Sequence, residues 1–268
     1  MEKTVVALFF ALIPLTHAYA AEITADHHEG CYGSSPCVYF KGEIKSGDLI
    51  KLKSVFDSPT RRRIFVFGQE NFILALNSRG GSLEEAMEIG RWVRKNKIVT
   101  TMGTNSECFS SCVYILAAGV IKLAIGSYWG NKVGIHRPYL TRMPKGGIQV
   151  SMKNALADSK AYLAEMNVPE HLADAMFSIS PDKVEILTDE KLTFYRLTGR
   201  DIVYEEETEL KTAYLFGMTR QEYMRNKSLF EEETKKRCFP LSWDEGLKCI
   251  QSTAMKFGLH ESQMKQSQ

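Results

Sequence analysis

Short apolar runs alternate with amphipathic stretches along this chain, and the alternation predicts a layered α/β fold. Phe72-Ile-Leu-Ala-Leu76 is a continuous apolar run of the length expected for a central parallel strand. Ser82 follows as an N-cap with Glu85 three residues on, a capping-box spacing. Leu83, Ala86, Met87, Gly90 and Val93 then recur on one helical face. Ile98-Val-Thr-Thr-Met102 is β-branched and reads as the next strand, and the apolar run from Ser110 to Ala118 as a buried helix. Val133-Gly-Ile135 predicts a short strand ending at His136, with Pro138 stopping it. Upstream, Val38 to Ile44 alternates as a strand broken by Gly42, and Leu49 to Phe56 is amphipathic. Downstream, Ser151 to Met166 and Asp189 to Leu197 predict helices, and Ile202-Val-Tyr204 is strand-like. Strands that alternate with helices imply a mostly parallel sheet with right-handed crossovers.

The two ends differ from this body. Lys3, the apolar run Val5 to Ile13 and the small-x-small Ala18-Tyr-Ala20 form a secretory signal pattern over residues 1–20. The chain is therefore expected to be periplasmic or secreted, with no stable membrane span after cleavage. Beyond about Glu205 the composition turns charged and helical, as in Glu231-Glu-Glu-Thr-Lys-Lys-Arg237. The expected organisation is a folded domain over 21–205 and a helical extension over 206–268. A formal charge of +2 gives no argument for a nucleic-acid partner.

Six cysteines in an exported chain favour disulfides. Proximity suggests Cys31–Cys37, Cys108–Cys112 and Cys238–Cys249, among fifteen possible connectivities. Cβ atoms four residues apart on a helix lie about 5–6 Å apart, too far for a disulfide. Pairing Cys108 with Cys112 thus places Cys108 in a turn before the helix. His27-His28-x-x-Cys31 with Cys37 fits no standard zinc spacing, so no metal is expected.

The stretch from Cys108 to His136 holds the candidate chemistry. Cys108-Phe-Ser-Ser-Cys112 supplies a serine pair at a helix start, His136 a base, and Leu76-Asn-Ser-Arg-Gly-Gly-Ser82 a glycine turn. Nucleophile, base and backbone amides are the parts of an acyl-transfer site. A serine at a helix N-terminus sits beside free amides at the positive end of the helix dipole. Gly80 and Gly81 permit close backbone approach.

In this order, these segments, with Ala117-Ala-Gly119, Gly134-Ile-His136 and Leu187-Thr-Asp-Glu-Lys-Leu192, resemble the Clp protease proteolytic subunit and its exported relatives in the Clp protease/crotonase-like superfamily. The resemblance covers roughly Val38 to Leu197. It implies an α/β fold of repeated β-β-α units around a mostly parallel sheet, a homo-oligomer, and a serine peptidase acting without a cofactor on short or unfolded peptides. It places Ser110 as nucleophile, with Ser111 competing for that role, His136 as general base, and the Gly81 and Ser111 amides as the oxyanion hole. The family's turn proline is Arg79 here. The family aspartate falls at Val184, which leaves Asp182 or Glu185 to orient the histidine. A lysine base, Lys153 on the following helix, is the alternative. Two rival functions remain: a non-catalytic binding or assembly protein, and an acyl-thioester enzyme.

Overall fold

The computed structural model describes residues 21–26, 37–57, 64–66, 69–124, 130–139 and 148–264. The expected signal peptide, the His27-His28 pair and the Cys31 half of the Cys31–Cys37 pair lie outside them. The chain forms two compact units, Met1–Gly199 and Arg200–Gln268.

In the first unit the main sheet has the order β1-β2-β5-β6-β8-β11. Its strands are β1 (Glu22–Asp26), β2 (Cys37–Lys41), β5 (Ile73–Asn77), β6 (Val99–Met102), β8 (Ile121–Leu123) and β11 (Gly199–Arg200). The pair β1/β2 is antiparallel, whereas β2/β5, β5/β6 and β6/β8 are parallel. The architecture is mixed α/β with a mainly parallel sheet, as the apolar runs predicted. Two short strands, β3 (Ile64–Val66) and β4 (Gln69–Asn71), pair antiparallel with each other.

Helix α1 (Asp48–Phe56) precedes β3, and α2 (Leu83–Lys95) crosses from β5 to β6. The face of α2 that carries Ala86, Met87, Gly90 and Val93 is the buried one. Helix α3 (Cys112–Ala118) is buried at all seven residues, matching its lack of a polar face. The core joins Phe40, Leu74 and Leu76 of the sheet to Ile89, Val93, Ile115, Leu116 and Leu163 of the helices. Phe56 packs edge-on against Trp92 at 5.0 Å and Phe72 at 5.6 Å.

A second, three-stranded sheet sets up the cleft. Strand β9 (Lys132–Ile135) lies between β7 (Glu107–Phe109), to which it is parallel, and β10 (Glu185–Ile186), to which it is antiparallel. Helices α4 (Ile148–Glu165), α5 (His171–Ser178) and α6 (Asp189–Phe194) complete the unit.

The second unit is helical: α7 (Ile202–Leu215), α8 (Arg220–Arg237) and α9 (Trp243–Lys256). The strand-like Ile202-Val-Tyr204 begins α7 instead. The Asp201 carboxylate accepts from the Val203 and Tyr204 amides, and this N-cap ahead of a long run of helix formers overrides the local β-branched preference. The Cys238–Cys249 disulfide ties the end of α8 to α9. Among the described residues no helix is long and apolar enough to cross a membrane.

Candidate active site

Two turns meet at the C-terminal edge of β5 and β7. The first runs from Ser78 to Ser82. Ser78 pairs with Cys108 as an isolated parallel bridge: its N–H donates to Glu107 O (2.7 Å) and its carbonyl accepts from Phe109 N–H (2.9 Å). On the other side, Ile44 N–H donates to Gly80 O (2.9 Å) and Ser82 N–H to Ile44 O (2.8 Å). The glycines are thus held between two neighbours, and both need positive φ, +99° at Gly80 and +146° at Gly81. A Cβ at Gly81 would stand 2.2 Å from Ile44 O. Glu85 does not close the expected capping box. Ser82 Oγ accepts from Glu85 N–H, but the Glu85 carboxylate turns to the Leu49 N–H at the start of α1 (2.7 Å).

The second turn is Ser110-Ser111, between β7 and α3. Ser110 N–H donates to Gly134 O (2.9 Å), and Ser110 has φ +55°, a left-handed conformation that a residue with a Cβ avoids. The helix therefore starts at Cys112 with Ser111 as its N-cap, two residues later than the apolar run suggested. Cys108 and Cys112, both fully buried, form a disulfide with Cα atoms 5.2 Å apart. Cys108 lies outside the helix, as the pairing requires, but in strand β7 and not in the expected turn.

The two turns touch. A Cβ on Gly80 would fall 2.8 Å from Ser110 Cβ and 3.1 Å from Ser111 N. Among the described residues neither the Gly81 nor the Ser111 N–H donates to a protein acceptor. Ser111 is buried, and its Oγ has no hydrogen-bond partner there. Since α3 has only seven residues, an oxyanion here would be held by the amides themselves and not by a helix dipole.

His136 directly follows β9 and is 5 % exposed. Its Nδ1 lies 2.8 Å from the carbonyl oxygen of Arg137. A carbonyl can only accept, so Nδ1 is the donor of this contact, and in the neutral imidazole the lone pair lies on Nε2. The ring stacks edge-on at 5.4 Å against Tyr139, whose hydroxyl donates to Pro181 O, while Arg137 N–H donates to Ile179 O (3.1 Å).

Ser110, Ser111, Gly80, Gly81 and His136 line one cleft of about 1440 Å³ with Tyr114 and Met176. Ser110 Oγ and His136 line it without a hydrogen bond to each other among the described residues. Asp182 is exposed and accepts from Ser180. That hydroxyl first, and its own backbone N–H next, hold the carboxyl below the usual aspartate value. Glu185 pairs with Lys191, Val184 is exposed, and Lys153 is exposed on α4. The structure thus brings none of Asp182, Glu185 or Lys153 into hydrogen bonding with His136 or Ser110. The group behind the imidazole is a main-chain carbonyl, which no side-chain pattern could reveal. At the mouth, Arg79 Nε donates to Glu107 Oε2 (2.7 Å), and this hydrogen bond and charge raise the Arg79 pKa.

No family model matches the chain, and no curated protein matches it. Among solved structures it is similar to a mutant of the 1510-N membrane-bound stomatin-specific protease. The TM-score is 0.42 and the identity 19 %, covering 65 % of this chain and 82 % of that one.

Proposed function

We propose that the chain is an exported serine hydrolase that cleaves peptide bonds, working from the first unit, with the helical second unit as an extension. The observation that carries this reading is Ser110. It is held at φ +55° on the wall of a cleft, beside two amides that no acceptor among the described residues uses. Strained non-glycine backbone concentrates at reactive sites. The two disulfides with Cys108 and Cys238 support a periplasmic or secreted location.

In this reading Ser110 Oγ attacks the substrate carbonyl carbon and its proton passes to His136 Nε2. The Gly81 and Ser111 N–H groups receive the developing oxyanion. Collapse of the tetrahedral adduct breaks the C–N bond, and the imidazolium returns the proton to the leaving amine. Water then hydrolyses the acyl-serine with His136 again as base. The Arg137 carbonyl takes the orienting role expected of Asp182. It fixes the tautomer but carries no full charge, so it stabilises the imidazolium less than a carboxylate would. The open Ser110–His136 contact closes on substrate binding, as such contacts do in many free enzymes.

The test is labelling with a fluorophosphonate probe. Wild type and Ser111→Ala label, Ser110→Ala does not, and His136→Ala labels about 10²–10⁴-fold more slowly. Equal labelling of wild type and Ser110→Ala overturns the assignment. The missing Ser110–His136 hydrogen bond favours one alternative, a binding protein that uses the same cleft. A chain that leaves the probe unmodified but still binds unfolded peptides supports that alternative.

A further inference from the structure

We propose that the Cys108–Cys112 disulfide is a positioning element of the reactive site: it stops α3 from growing backwards by a full turn and so favours the left-handed conformation of Ser110. The inference rests on the reading of Ser110 as nucleophile.

Phe109-Ser-Ser-Cys112 contains no proline or glycine, and Ser110 to Ala118 reads as one continuous apolar helix. Extending α3 by a full turn, back to Cys108, would lengthen a good helix former and would move Ser110 from φ +55° to an ordinary helical value. The disulfide forbids this. Residues four apart in a helix hold their Cβ atoms about 5–6 Å apart, whereas a disulfide requires about 3.8 Å. The bond and a helix lengthened by a full turn, back through Ser110 to Cys108, therefore exclude each other. Its loop encloses just Phe109, Ser110 and Ser111, and it joins the strand that pairs with β9 to the first residue of α3.

The other ties on this turn are weaker constraints. Ser110 N–H to Gly134 O and Phe109 N–H to Ser78 O hold the strand side, while Val113 N–H to Ser110 O is an i→i−3 bond of the first turn that a lengthened α-helix would exchange for one to Phe109 O. Both cysteines are fully buried, so the bond belongs to the interior beneath the turn. The second disulfide, Cys238–Cys249, spans eleven positions at the α8–α9 junction and closes no such turn. It serves as the internal control.

The experiment measures fluorophosphonate labelling of the full chain at several probe concentrations, which separates the saturating rate constant from the half-saturating concentration. Cys108→Ala/Cys112→Ala and the volume-keeping Cys108→Val/Cys112→Ala are compared with wild type, Ser110→Ala and Cys238→Ala/Cys249→Ala. Circular dichroism reports folding. We expect the Cys108/Cys112 variants to fold and to bind the probe with unchanged half-saturation. Their saturating rate should fall at least tenfold, the loss of reactive population that about 1.4 kcal/mol represents. The Cys238/Cys249 variant keeps the wild-type rate. A wild-type saturating rate in either Cys108/Cys112 variant overturns the inference and leaves the nucleophile assignment standing. Loss of folding in both also overturns it, because the bond would then act on the whole unit. Wild type that labels no differently from Ser110→Ala ends the nucleophile reading and the inference with it.

Discussion

Gly80 is the residue at which the two turns of the cleft are most closely coupled. Its φ of +99° disfavours any side chain, and the space a Cβ would need is already taken by Ser110 Cβ at 2.8 Å and Phe109 O at 2.9 Å. Gly80→Ala should cost about 1–3 kcal/mol of stability, read as a shift in the urea midpoint. Its larger effect should be on reactivity. A displacement of the Ser110 turn approaching 1 Å lowers the fluorophosphonate labelling rate on the order of 10²-fold. A Gly80→Ala protein that labels like wild type would show that the turns move independently. At Gly81 the obstruction is backbone, Ile44 O at 2.2 Å, so Gly81→Ala should destabilise more than Gly80→Ala. The glycine pair, the serine pair and His136, which line one cleft, were all legible in the sequence as candidates, because a close-approach turn, a hydroxyl and an imidazole each demand a residue type. The Arg137 carbonyl was not, since every residue carries one and only the fold decides where it points.

Among the elements, the packing of α2 on α4 turns on another glycine. Gly90 falls on the apolar face that periodicity predicts, but the sequence gives no reason for a glycine there. The reason lies across the interface. A Cβ at Gly90 would stand 1.7 Å from the Tyr162 hydroxyl, which is fully buried and donates to Tyr114 O at 2.7 Å. Two effects oppose each other in Gly90→Ala. Helix propensity favours alanine by about 1 kcal/mol, whereas overpacking costs about 1–3 kcal/mol and displacing the Tyr162 hydroxyl leaves a buried polar group unpaired. Net destabilisation of about 1–2 kcal/mol is expected. In a Tyr162→Phe background the same change should cost less, with a coupling of at least 0.5 kcal/mol in a urea double-mutant cycle. Additive costs would refute the contact. The same distinction governs which elements could be read. Phe72–Leu76 and α2 are set by patterns within their own segments. Strands β7, β8 and β10 have two or three residues and exist through pairing, as when Glu107, Cys108 and Phe109 align with Lys132, Val133 and Gly134.

For the molecule as a whole, the burial of Tyr114 and Tyr162 makes global stability sensitive to alkali. Burial pushes the Tyr114 phenol up from 10.0 to about 12, although the Ser159 hydroxyl 2.9 Å away, which can donate to the phenolate, works in the opposite direction. Tyr162, fully buried, is raised still further by the same cause. Both groups are neutral in the folded and the unfolded chain below pH 10, so their full contribution is present there. Above pH 10 the unfolded chain releases protons that the folded one retains, and rising pH favours unfolding. Each tyrosine removes about 1.4 kcal/mol of stability per pH unit in this window. The loss from Tyr114 ends near pH 12, where the folded phenol ionises as well. Tyr114→Phe deletes one of the two contributions. It should lower stability near neutral pH by about 1 kcal/mol, for the lost hydrogen bond to Ser159, and halve the slope between pH 10 and pH 12. The measurement is the urea unfolding free energy against pH, followed through Trp92 in a Trp129→Phe/Trp243→Phe background so that the signal reports the first unit. Trp92 packs against Phe56 in that unit's core, and its emission changes when the core opens. An alkaline slope that Tyr114→Phe leaves intact would mean that other groups control the high-pH limit. A slope halved as expected would identify the Tyr114 phenol of α3 as a group that sets it.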